Sequence, residues 1–288
     1  MNGLPVSGEM PRTIAIDAHA HFRRGFELTR FLDHAAANFR RASDRKPLGV
    51  LLLAETAGCV RYEDLVALPG DRSGDWVFER TGEPGSLVAR HRSKTVLVLI
   101  AGRQIATRER LEVLSLASAA RIEDGLSIDA AIGAAREAGA IAVLPWGFGK
   151  WWGRRGEIVR RILESVPPGE VFVGDNGNRP RPALRPRLFR VAERRGILVL
   201  PGSDPLSLPD QIARIGGYGT ILSAPLDLER PAAGIAAILR SRTAPFTPFG
   251  RREGAAGFLR VQLRARRTRG HDPAGPAQQS ACGRSESP

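Results

Sequence analysis

The feature that most restricts what this chain can fold into is residues 13–22, where an apolar run through Ile14, Ala15 and Ile16 stops at Asp17, His19 and His21. Such a run reads as a buried β-strand. Because side chains alternate along an extended chain, the two-residue spacing sends both imidazoles off one face. Two imidazoles converging where a strand ends can share a divalent cation. The competing reading is a strand end whose polar residues only hydrogen-bond the next loop.

The rest of the composition narrows the choice. A length of 288 residues with 42% apolar content suits one large domain or two small ones with a substantial core. The longest apolar runs, residues 50–54 and 96–101, are far too short to cross a bilayer, and the N-terminus lacks a basic segment followed by an apolar one. A cytoplasmic protein without membrane insertion is therefore expected. The two cysteines, Cys59 and Cys282, build neither a disulfide framework nor a thiolate zinc cluster. Any metal must be held by His, Asp and Glu. The net charge of +13 admits a nucleic-acid partner. However, the basic residues are three lysines against forty arginines, a skew that a GC-rich coding sequence produces without selection for phosphate.

Periodicity places an amphipathic helix over 27–42 and a second strand over 48–54 that ends at Glu55. Residues 57–102 are broken by Pro- and Gly-rich turns into short β-prone runs, an antiparallel excursion that leads into a strand over 95–101. A strand pair over 103–105 and 110–116 comes next. From Ser127 onward helices over 127–138, 157–164, 184–195, 209–215 and 231–242 alternate with strands over 140–144, 170–174, 197–200 and 219–223. Short connections and this alternation predict a parallel sheet wrapped by helices, closed or nearly closed into a barrel. Residues 1–12 read as an N-terminal extension, 13–250 as the barrel domain, and 251–288 as a basic, disordered tail.

In such folds chemistry collects at the carboxyl ends of the strands. Those positions carry Asp17, His19 and His21; Glu55; Gln104 and Glu112; Trp146; Asp175 and Asn176; and Ser203 and Asp204. The loop 146–155 adds three of the four tryptophans, with Lys150, Arg154 and Arg155. Exposed rings beside cationic groups suit a nucleotide, sugar or phosphorylated ligand. The same rings could equally form a hydrophobic lid. Residues 174–179 read as a turn or an anion pocket.

The order Asp17-Ala18-His19-Ala20-His21, the helix and strand over 128–144, and Leu200-Pro201-Gly202-Ser203-Asp204 together resemble the PHP (polymerase and histidinol phosphatase) superfamily. The resemblance spans residues 14–250. It implies a distorted (β/α)7 TIM-like barrel and a rim cluster of up to three divalent metals that hydrolyses phosphoesters. Residue by residue, the family's opening histidines match His19 and His21, and its late aspartate matches Asp204. The rest departs: Glu55 stands in the family's Thr-Asp-His segment, Gln104 at its bridging glutamate, Glu112 near a histidine, Trp146 after Pro145 in place of His-Pro, and Leu206 at the last histidine. Five histidines in the chain do not build a trinuclear cluster. The amidohydrolase superfamily, which also opens with two such histidines, fits less well because no histidine lies between His91 and His271.

The sequence thus predicts a reduced mono- or dinuclear site for Zn²⁺ or Mn²⁺. Its candidate ligands are His19, His21, Asp204, Asp17 and Glu112, with Glu55 and Asp175 as catalytic carboxylates. Trp146, Lys150, Trp151, Arg154, Asn176 and Arg179 would contact a small phosphorylated substrate. The alternative is an inactive ligand-binding or scaffolding protein on the same fold, with Trp146 filling the place of a lost ligand.

Overall fold

A computed structural model describes residues 11–255 apart from 60, 182, 183 and 243, together with 257, 258, 260 and 264. Residues 1–10 of the predicted N-terminal extension and most of the predicted basic tail lie outside the described residues.

The strands form two open sheets. In the first, β1 (Arg12–Ala20) pairs in parallel with β2 (Leu48–Leu53), and β2 with β6 (Lys94–Ile100). Antiparallel strands then extend it on both sides. β5 (Ser86–His91), β4 (Trp76–Arg80) and β3 (Arg72–Ser73) follow β6, while β12 (Tyr218–Ala224) and β13 (Thr247–Gly250) follow β1. The second sheet opens with an antiparallel pair, β7 (Gly102–Ala106) and β8 (Glu112–Leu116), and β8 runs antiparallel to β9 (Ile141–Pro145). It continues in parallel through β10 (Val171–Asn176) to β11 (Val199–Gly202).

This corrects the expected closed TIM-like barrel. A parallel barrel needs β1 and β6 to keep an edge for their next parallel neighbours. Here the excursion covers β6 and β12 covers β1, so each ladder ends and the second sheet starts afresh. The excursion itself and the 102–116 strand pair form as the turn signals predict. β13 was not foreseen, because Pro248 at its centre argues against a strand.

The two sheets meet along two seams held by isolated contacts. At one, Glu55 bridges Arg103: Glu55 N donates to the Gly102 carbonyl (3.1 Å) and Gln104 N to the Glu55 carbonyl (2.8 Å). At the other, Asp204 N donates to the His19 carbonyl at 2.8 Å. Each seam carries a glycine that close approach requires. A Cβ on Gly102 would stand 2.4 Å from the Leu53 carbonyl oxygen, and one on Gly202 would stand 2.4 Å from His19 N.

Between the sheets lies one core, with Ile14, Ile16, Val50, Val98, Leu114 and Phe172 facing inward and α6 (Pro231–Ser241) packed on it through Ile235 and Leu239. The outer face of the first sheet is covered by α1 (Leu28–Ala42) through Phe31, Leu32 and Phe39. That of the second is covered by α3 (Ile128–Glu137), α4 (Arg154–Ser165) and α5 (Arg187–Arg194). Burial on both faces is why the central strands are nearly continuous apolar runs. A short α2 (Arg61–Val66) follows β2, and the turn after β11 carries a 3-10 helix, Pro209–Arg214.

Candidate metal centre

The site lies at the seam between β1 and β11. Pairing of β1 with β2 slips between Asp17 and Ala20, an irregularity of the kind that re-aims side chains. Below the slip, Asp17 is fully buried and acts as a clamp. Its Oδ1 accepts from His19 N (3.1 Å) and Ser203 N (2.9 Å), and its Oδ2 from Gly216 N (3.0 Å). Burial pushes this carboxyl above its ordinary range, and the three N–H donors offset that only in part. One side chain thereby ties β1, β11 and the turn before β12 together.

Above the slip the imidazoles of His19 and His21 are buried and meet Asp204. The Nε2 atoms stand 3.0 Å apart, and Asp204 Oδ1 lies 3.3 Å from that of His21 and 3.7 Å from that of His19. Gln104 Oε1, reaching in from β7, is 3.3 Å from His19 Nε2. Asp204 is a non-glycine residue at φ +43°, a left-handed conformation uncommon outside tight functional turns. Its backbone carbonyl accepts from Asn178 Nδ2.

Burial, reinforced by the Arg23 charge, lowers the His21 pKa to about 3, so that this ring is neutral. For Asp204 burial acts in the raising direction, but His19, His21 and Arg23 together hold the carboxyl well below the usual carboxylate range. Arg23 is itself anchored by its Nε on the Pro205 carbonyl (3.2 Å).

The donor set can be tested against a metal. Two imidazole nitrogens and one carboxylate oxygen, all within 4.8 Å of one another, are the ligand types of Zn²⁺ and related divalent ions. Metal–ligand bonds of about 2.0–2.1 Å in a tetrahedron separate neighbouring ligand atoms by about 3.3 Å. The observed spacings of 3.0, 3.3 and 3.7 Å bracket that value. His19, His21 and Asp204 could therefore hold a metal ion.

The other sequence-predicted residues fall elsewhere. Asp17 stands outside the three-residue cluster, its oxygens accepting from backbone N–H groups. Glu112 is also outside the cluster, ion-paired to Lys150. Glu55 sits at the other seam, its Oε1 accepting from Tyr62 N (2.5 Å), where burial raises its pKa to about 7. Asp175 is engaged by both arms of the Arg179 guanidinium (2.7 Å each) and by Tyr218 Oη (2.8 Å), so neither it nor Arg179 is left open to a substrate. Asn176 Nδ2 donates to the Trp146 carbonyl at 2.8 Å. Trp146 is half-buried against the outer core of the second sheet, and Trp151 is buried with its ring 5.9 Å from that of Phe189. Of the proposed substrate contacts only Arg154 is an exposed residue, at the start of α4. Phe148 and Trp152 are the exposed rings of the aromatic loop. Sequence reasoning missed Arg23 and Asn178 as site residues, and nothing in their local pattern marks them. Gln104, which the sequence places at a strand end, does reach the cluster from β7.

No family model and no curated protein matches the chain. Among solved structures, the crystal structure of PsfC from Pseudomonas syringae PB-5123 aligns with 89% of this chain and 99% of PsfC, with a TM-score of 0.51 at 13% identity. A two-domain protein from Bacteroides vulgatus ATCC 8482, containing a predicted PHP-like metal-dependent phosphoesterase, aligns with 85% of this chain and 69% of that one. There the TM-score is 0.45 and the identity 17%. The chain thus shares the PsfC fold. Among the described residues no helix is long and apolar enough to cross a membrane.

Proposed function

We propose that this chain is a metal-dependent hydrolase of the PHP type, a phosphoesterase whose site is reduced to His19, His21 and Asp204. The observation that carries the reading is the convergence of two buried imidazoles and one carboxylate. A bound Zn²⁺ or Mn²⁺ would activate water near neutral pH and polarise a phosphoryl oxygen. The chain's own part is orientation. The Asp17 clamp fixes the β1–β11 seam, Gln104 contacts the His19 ring, and Arg23 contributes positive charge beside Asp204.

The test is hydrolysis of a panel of phosphomonoesters and phosphodiesters with added Zn²⁺ or Mn²⁺. His19→Ala and Asp204→Ala should each lower the rate by more than the ~100-fold that loss of an outer partner can cost. Equal rates in wild type and variants would overturn the assignment. The exposed pair Phe148 and Trp152, with ring centroids 5.3 Å apart, favours a second reading as a binding protein. A metal-free protein inactive on the whole panel would select it.

A further inference from the structure

Part of the arginine excess gathers in one place. A cavity of about 570 Å³ opens beside the C-terminal end of α1. It is lined by Arg41, Arg181, Arg214, Arg251 and Arg252, with Glu253 as its one carboxylate. These arginines come from four separate parts of the chain: the end of α1, the turn after β10, the end of the 3-10 helix and the residues after β13.

Several exposed arginines elsewhere are answered by acids, as in Arg90–Glu79, Arg92–Asp75, Arg121–Glu63 and Arg161–Asp129. In the cavity only Arg214 has a carboxylate partner among the described residues, Glu253. Arg181 and Arg252 are held instead by backbone: Arg181 Nε donates to the Arg252 carbonyl (2.9 Å) and Arg252 Nη1 to the Pro180 carbonyl (3.3 Å). Main-chain bonds from Arg181 N to the Glu253 carbonyl (2.9 Å) and from Glu253 N to the Gly177 carbonyl (2.8 Å) fix the two segments side by side. Arg181, Arg214 and Arg252 are thus brought together and anchored by the chain itself, which lowers the ordering cost of binding an anion.

We propose that this cavity is a binding site for a phosphorylated small molecule, separate from the His19–His21–Asp204 cluster. A phosphate offers several acceptor oxygens and up to two charges to planar guanidinium forks, the geometry that arginine matches best. The volume exceeds what phosphate alone would fill and lies in the small-molecule range of about 300–1,000 Å³. Phe249, Ala42 and Ala213 give the body of such a molecule an apolar wall.

The test is calorimetric titration of inorganic pyrophosphate into the full chain, with citrate as a carboxylate arm of similar charge. Arg251 makes no hydrogen bond or ion pair among the described residues, so its variants should fold like wild type, which circular dichroism checks. Saturable one-to-one binding is expected, weakened about 10-fold in Arg251→Ala, as loss of one charge-assisted hydrogen bond implies, and further in Arg251→Glu. His19→Ala should bind as wild type does even if the metal reading fails. No binding by wild type, or full binding by Arg251→Glu, would overturn the site. Citrate binding as tightly as pyrophosphate would overturn the phosphate assignment, and loss of binding in His19→Ala would overturn the separation from the cluster.

Discussion

Two buried polar clusters lie at strand ends, one on the second sheet and one at the seam between the sheets, and they meet their needs in opposite ways. In the first, Asp175 accepts two guanidinium bonds from Arg179 and one from the Tyr218 hydroxyl, so donors and acceptors match within the protein. In the second, two imidazole nitrogens 3.0 Å apart face a carboxylate oxygen and the Gln104 amide oxygen, and with the ring protons on Nδ1 all four atoms are acceptors. A self-matched cluster acts as a structural rivet, and an acceptor-rich one is built to receive a cation. Position at a strand end does not separate the two roles. The balance of donors against acceptors does.

The largest effect should come from breaking the rivet. Asp175→Ala leaves the Arg179 guanidinium buried without its counter-charge and should destabilise by about 3–5 kcal/mol in chemical denaturation, with or without metal. The acceptor-rich cluster should respond differently. Zn²⁺ or Mn²⁺ at about 100 times its dissociation constant should stabilise wild type by about 2.7 kcal/mol and leave Asp204→Ala unmoved, which a thermal-shift titration reads.

Glu55, a half-buried carboxylate, belongs to neither cluster. Its folded pKa of about 7 lies above the ordinary 4.5, so the native state keeps a proton that the unfolded chain gives up. The stability this contributes is complete below pH 4.5 and is lost as pH rises through 7, by about 3 kcal/mol. Glu55→Gln should remove that slope from denaturation midpoints measured across the window. The smallest effect belongs to the half-exposed Lys150–Glu112 pair: Lys150→Ala should cost less than about 1 kcal/mol. A large loss there would mean that Glu112 works within the metal cluster after all.

Local pattern made much of this legible. The strand through Ile14 and Ile16, the α1 helix with its Phe31–Leu32–Phe39 face, the Ser127-capped α3 and the antiparallel excursion all follow from periodicity and turn residues. Closure was not legible, because strand order depends on which edges are covered. The pairing of β12 antiparallel to β1 leaves no trace in the alternation of helices and strands. At the site, His19, His21 and Asp204 could be named because residue type and strand-end position carry the signal. Asp17 and Asp175 show the limit of such reasoning: a carboxylate at a strand end looks the same whether it faces backbone N–H groups, a guanidinium or a cation. Arg23 and Asn178 reach the cluster through loop geometry that no spacing rule encodes.

The central claim is that the acceptor-rich cluster binds a divalent ion through three side chains. Metal content of the purified full chain, measured by mass spectrometry for wild type, His19→Ala and Asp204→Ala, tests it most directly. The account predicts about one Zn or Mn per wild-type chain and loss of that metal in both variants. A metal-free wild type, or variants that keep the metal, would contradict it.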